Sequence, residues 1–400
     1  MDDNNPKRFV LELLKKSKRE RLEGFKAFTA RHPQLLEAYE DLRCAVRDSS
    51  PGSIIFMYGP TGVGKTTLLK KLKKHLEEIS LTELEDDHER FPVVTVRLSA
   101  PTSASFEWKD YFKRTLRALE EPLVDYKLDM QRWNRLYRVT ASESERNRQL
   151  TSNDQSGVAP MRFAVEQTLL HRRPFAVLID EAQHFGVMST GRKLLHQLNT
   201  IKSVADDSET VHVLCGTYEL IPMRNLNGQL SRRSVDIHFG RYHAEHKEHQ
   251  QEFINVLFTF QEHLPLPETP DLVSRWDYFY ERSLGCVGVL KDWLTRSLAL
   301  ALEDNCSTLK FKFIERRALS ISQCTTMLRE MLDGERELFE GDRDLLSLRE
   351  GLGLTLDTSS KGSKHSSCKP EMSPCASPTQ RKRRVGTRKP VRDKIGEQVA

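Results

Sequence analysis

Four hundred residues, 38% hydrophobic and 30% charged, allow one large or two to three ordinary domains with a sizeable core. No apolar run reaches the roughly 18–20 residues that span a bilayer. The first residues, Met1 to Arg8, hold no signal-peptide core, and the seven cysteines are scattered, so the expectation is a cytosolic protein in a reducing compartment. The net charge of +5 is uneven: residues 357–400 hold 11 Lys+Arg against 4 Asp+Glu, leaving the other 356 residues at −2. The body therefore lacks a global positive field, and nucleic acid would have to meet a local patch on it.

Taken in order, residues 5–50 read as two helices, the first basic (Lys15, Lys16, Lys18, Arg19, Arg21) and the second apolar on one face (Leu35, Leu36, Tyr39, Leu42, Val46). Asp48 to Gly52 breaks the pattern before an apolar strand, 53–58. There follows Gly59-Pro60-Thr61-Gly62-Val63-Gly64-Lys65-Thr66-Thr67, which fits G-x-x-x-x-G-K-[ST] at every fixed position and runs into a helix. Glycines in such a loop let successive N–H groups turn around an anion at the positive end of that helix. Lys65 would reach the β- and γ-phosphates of a nucleoside triphosphate, and the Thr66 hydroxyl would coordinate Mg²⁺. The alternative, a strand–helix turn that holds nothing, leaves Lys65-Thr66 unexplained.

Acidic residues 82–90 read as a loop, and 92–98 as the second strand. Helix 105–119 puts Trp108, Phe112, Thr115 and Leu119 on one face and Lys109, Lys113 and Arg117 on another, with Arg114 beside them. That stripe would suit DNA phosphates, although spacing alone favours an ordinary amphipathic helix. Residues 121–158 are a polar insertion with a short helix around 127–138. After helix 160–172, strand 175–179 ends in Asp180-Glu181. Two carboxylates at the end of a buried strand need a purpose. Asp180 would hold Mg²⁺ and Glu181 would act as general base toward the attacking water.

A helix from about 190 to 204 leads to strand 211–215, and Thr217 at its end would bond to the attacking water or the γ-phosphate. Cys215 reads as core. Ser231-Arg232-Arg233 precedes a strand at 235–239, and helices follow at 248–262, 270–282, 284–303 and 311–332. Beyond about Asp357 the composition cannot bury enough apolar surface to fold, and the basic run from Arg381 to Pro390 would serve a partner protein or DNA, ahead of a merely solubilising end. His365, Cys368 and Cys375 lack a fourth ligand for zinc.

Five strands alternating with helices imply an α/β sandwich around a parallel sheet. The boundaries expected are 1–50 for N-terminal helices, 51–245 for a nucleotide-binding core, 246–335 for a helical lid, and 336–400 for a linker and tail. Phosphate loop, Asp-Glu strand, polar strand end, arginine pair and Gly-x-Leu-Lys lid occur in the order of the AAA+ ATPases. Leu-Ile-Asp-Glu-Ala-Gln-His, Leu-Cys-Gly-Thr-Tyr-Glu-Leu and Gly-x-x-Gly-x-Leu-Lys-x-Trp-Leu together resemble the TnsC/TniB transposition regulators, a family that includes ATPases of CRISPR-associated transposons. The resemblance covers about residues 30–305.

The resemblance implies an ATP- and Mg²⁺-dependent bacterial matchmaker that forms rings or filaments on duplex DNA and links a target-selection protein to a transposase. It assigns Thr217 to sensor 1 and Lys291 to sensor 2, where many AAA+ proteins carry Arg. It makes Arg232 or Arg233 the finger that completes a neighbour's site, and gives Lys109, Lys113, Arg114 and Arg117 contacts with the DNA backbone. The competing readings are an AAA+ ATPase of a secretion system and a nucleotide-switched signalling scaffold. The first should bring a membrane or wall-binding segment and the second a repeat domain, and neither is visible.

Overall fold

The computed structural model describes residues 6–101, 106–120, 157–186, 192–225, 234–338 and 342–354. Arg232 and Arg233, nearly all of the polar insertion, the His365/Cys368/Cys375 group and the basic tail lie outside them. The described residues divide into two units, one ending at residue 338 and the other comprising residues 342–354.

The first unit is built on five strands: β1 (Ile54–Tyr58), β2 (Val93–Arg97), β3 (Ala176–Asp180), β4 (Val211–Gly216) and β5 (Ser234–His238). All pair in parallel, in the order β2-β3-β4-β1-β5. Successive side chains of a strand face opposite sides, and the inner strands β1, β3 and β4 are covered on both, so they are buried throughout and almost continuously apolar, whereas the edge strands β2 and β5 expose polar residues. Ile54, Phe56 and Tyr58 face a core shared with α6 (Trp108–Ala118), α7 (Val158–Arg172) and α8 (Arg192–Asp207). Ile55 and Met57 face the other core, under α3 (Pro33–Asp48) and α4 (Lys65–Ile79). The expected α/β sandwich around a parallel sheet is present, with the ends of β1, β3 and β4 together along its carboxyl edge.

The N-terminal stretch holds three helices rather than two, and they go to two places. Ser17 breaks the run with a reciprocal cap: its hydroxyl accepts from the Glu20 N–H while the Glu20 carboxylate accepts from the Ser17 N–H. This separates α1 (Pro6–Leu14) from α2 (Lys18–Ala27). Phe25 and Phe28 then join an aromatic core with α10 (Lys247–Glu262), α11 (Trp276–Ser283), α12 (Val287–Glu303) and α13 (Phe311–Arg317). The lid thus takes the first two helices, while α3 stays on the sheet. The acidic stretch after α4 begins as a short exposed helix, α5 (Leu81–Asp86), before turning irregular.

The last expected helix is also divided. Ser320 and Gln323 form another reciprocal cap, so α14 (Ile321–Leu338) starts afresh after α13. It returns to the sheet, where Gly334 lies against the Tyr218 ring so closely that a Cβ would collide with it. Beside that contact Arg241 and Glu335, each 8% exposed, form a bidentate pair at 2.8 and 3.1 Å. Between β4 and β5 runs α9 (Ile221–Asn225). In the second unit, α15 (Asp342–Gly351) occupies a stretch read from sequence as linker.

Candidate nucleotide site

Between β1 and α4 the chain turns through Gly62 (φ +79°) and Gly64 (φ +122°). A side chain is strained in that region, so these two glycines allow the loop to curl. The carboxyl edge of a parallel sheet is where such a loop becomes a ligand site. Here it opens into a cavity of about 730 Å³, lined by Thr61, Gly62, Gly64, Lys65, Thr66 and Thr67 from the loop side. Val63 instead turns into the core.

Lys65 folds over its own loop, and its Nζ donates to the carbonyl oxygens of Gly59 and Pro60, both at 2.9 Å. Burial pushes its pKa down, and the charges of the surrounding acidic groups, Glu181 and Asp180 among them, oppose that shift. Thr66 Oγ1 donates to Asp180 Oδ2 at 2.9 Å, across 114 residues of sequence. Asp180 Oδ1 accepts from the Glu181 N–H at 3.0 Å. A hydroxyl and a carboxylate in contact beside an anion-binding loop form the oxygen donor set that Mg²⁺ takes. The cavity is of the size that holds a small cofactor. The residues present therefore fit a magnesium nucleotide.

Three further elements close on the same space. Glu181 lines it from a left-handed backbone conformation (φ +58°). Thr217 lines it from the end of β4, and its Oγ1 is buried without a hydrogen-bond partner in the structure, as suits a hydroxyl meant for a ligand. The lid supplies Gly288 and Lys291 through the first two turns of α12. The Val289 N–H donates to Gly62 O at 3.1 Å, and a Cβ at Gly288 would strike the same carbonyl. Lid and phosphate loop are in direct contact.

Lys291 lies at the cavity with its Nζ on main-chain carbonyls, donating to Lys26 O at 2.8 Å and to Phe28 O. Burial lowers its pKa to about 8. Sequence reasoning found Lys291 but missed Lys26 and Arg296, which line the cavity from α2 and α12. Two buried thiols complete the surroundings. Burial raises both, Cys286 to about 12, so they are neutral core groups.

The expected DNA stripe lies on α6, away from the residues that line this cavity. Tyr111, Phe112, Thr115 and Leu116 are buried, while Lys109, Arg114 and Arg117 are exposed and Lys113 is half-buried. Arg114 pairs with Asp110 at 2.6 Å, which spends part of its charge on its own helix. Among the described residues there is no group of side chains suited to holding a metal by itself, and no helix is long and apolar enough to cross a membrane.

A family match agrees with this architecture. The AAA domain model matches residues 47–223, the stretch that carries the phosphate loop, Asp180-Glu181 and Thr217. No curated protein matches the chain in sequence. Among solved structures, the chain is similar to the ORC2 protein of Aeropyrum pernix in its ADP form, at 14% identity over 76% of this chain and 72% of that one, with a TM-score of 0.48. A Walker-type ATPase of Pyrococcus abyssi gives 13% identity over 79% and 75%, with a TM-score of 0.40. Drosophila ORC bound to DNA gives 12% over 84% and 82%, again with a TM-score of 0.40.

Proposed function

We propose that the chain is an ATPase that times the assembly of a transposition complex. ATP bound in the cavity favours rings or filaments of this chain on duplex DNA, which join a target-selection protein to a transposase, and hydrolysis dissolves them. The observation that carries the ATPase part is the convergence of phosphate loop, Asp180-Glu181, Thr217 and Lys291 on one cavity. The transposition part rests on the sequence motifs shared with TnsC/TniB regulators.

In this reading Lys65 exchanges the carbonyls of Gly59 and Pro60 for phosphate oxygens. Thr66 and Asp180 would hold Mg²⁺, which would neutralise charge developing on the phosphates. Glu181 takes a proton from the attacking water, and the free Thr217 hydroxyl orients that water or the γ-phosphate. Lys291 adds positive charge from the lid, and Arg232 or Arg233 of a neighbouring subunit completes the site. Lys109, Lys113, Arg114 and Arg117 meet DNA phosphates without reading bases.

The test is electron microscopy of the full chain with duplex DNA, with and without a slowly hydrolysed ATP analogue and Mg²⁺. Nucleotide-dependent rings or filaments are expected, and Glu181→Gln should keep nucleotide binding while prolonging them in ATP. Rapid disassembly of that variant would overturn the timer. Nucleotide binding with no assembly on DNA would replace the proposal with a nucleotide-switched scaffold.

A further inference from the structure

We infer that Gln183 is a positioning residue that ties the Glu181 carboxylate to the end of β4. The inference rests on the ATPase reading above and adds a residue that none of its motifs assigns. Gln183 follows Glu181 in a tight 3₁₀ turn, Ala182–Phe185, and is 8% exposed. Its Nε2 donates to Glu181 Oε2 at 2.6 Å, and its Oε1 accepts from the Thr217 N–H at 3.3 Å. The network fixes the amide's orientation. A backbone N–H can only donate, so the oxygen faces Thr217 and the NH₂ group faces the carboxylate, which can accept.

The neighbouring chain leaves room for this bridge. A Cβ at Gly216 would collide with Gln183 Oε1, so the end of β4 passes directly over the amide. The other carboxylate oxygen, Glu181 Oε1, lies 3.5 Å from Arg97 Nη2 at the end of β2. Glu181 is therefore held from both sides, by a cation on one neighbouring strand and by an amide anchored to the other. Its left-handed backbone (φ +58°) brings the carboxylate into that grip. A displacement of Thr217 by the γ-phosphate would be passed through one side chain to Glu181, which must lie within hydrogen-bond reach of the attacking water.

Two substitutions separate this role from simple packing. Gln183→Met keeps the volume and loses both bonds. Gln183→Glu keeps an acceptor for the Thr217 N–H but sets a carboxylate against Glu181. Single-turnover hydrolysis, binding of a fluorescent ATP analogue and thermal melting would be measured on the full chain. If Gln183 acts through Glu181, both variants lower the hydrolysis rate by about 10–100-fold with nucleotide affinity within about twofold of the parent chain. In the Glu181→Gln background either substitution then costs nothing further. Parent-like turnover in Gln183→Glu would overturn the inference, as would an undiminished loss in the Glu181→Gln background. Failure of the unaltered chain to hydrolyse ATP would instead overturn the ATPase reading itself.

Discussion

Two lysines face the same cavity, and they got there in different ways. Lys65 belongs to the phosphate loop and bonds to carbonyls five and six residues before it. Lys291 belongs to the lid and bonds to the carbonyls of Lys26 and Phe28 at the end of α2, more than 260 residues before it. Burial depresses both, but Lys65 has Asp180 and Glu181 to offset the loss, whereas Lys291 has only the more exposed Asp292. One end of the site is local and self-contained. The other is assembled from distant segments, and its integrity depends on contacts far from the nucleotide.

The largest expected effect lies in the assembled part. Glu335→Ala would leave the Arg241 guanidinium buried beside Tyr218 without its partner, at a cost of about 3–5 kcal/mol in denaturant unfolding. Replacing Arg241 and Glu335 together with apolar residues should recover most of it. If the single change costs less than about 1 kcal/mol, the return of α14 to the sheet is not a structural clamp.

Acid compares the two regions directly. His212 is buried in β4, and His32 caps α3 at the seam with the lid, its Nδ1 3.0 Å from Tyr242 Oη. Burial lowers each pKa to about 4. Unfolded histidine takes up a proton near pH 6.5, so the contribution of each is complete above that pH and is lost as pH falls toward 4. The expected loss is about 3 kcal/mol per histidine. His32→Gln should remove its share of the slope and leave that of His212, as read by urea midpoints across pH 7 to 4. An unchanged slope would place His32 outside the acid response.

The smaller effects are on binding. Lys65→Ala should weaken nucleotide affinity by about 10²-fold without lowering the melting temperature, because it also removes a buried ammonium. Lys291→Met should cost roughly fivefold, on the order of 1 kcal/mol. Raising pH through 8 should neutralise Lys291 in the parent chain, so its affinity should fall there more than that of Lys291→Met. Equal pH dependence in the two would remove Lys291 from the phosphate field.

The same contrast explains what could be read in advance. The phosphate loop, Asp180-Glu181 and the five strands were legible because each depends on residues adjacent in the chain. The breaks at Ser17 and Ser320 were equally local: Ser17-x-x-Glu20 and Ser320-x-x-Gln323 are helix-start signals, and weighing them would have divided both runs. The partners of Lys291, the pairing of Arg241 with Glu335 and the bridge through Gln183 could not be read that way. Each joins segments that only the fold brings together, and a lysine or glutamine carries no local mark of its distant partner. The α6 stripe falls between these cases, since its spacing was visible but the Arg114–Asp110 pairing is one of several uses of those charges.

The strand order carries a consequence for biosynthesis. β1 lies between β4 and β5, which follow it by more than 150 residues. A nascent chain that has just emerged through the phosphate loop therefore displays Ile54–Tyr58 with both edges bare and no neighbour yet made. Until β4, near residue 216, leaves the ribosome, the loop has no sheet to hold it. A prematurely terminated product of 200 residues would carry the whole Gly-Pro-Thr-Gly-Val-Gly-Lys-Thr motif and yet grip no nucleotide, while exposing an apolar strand prone to aggregation.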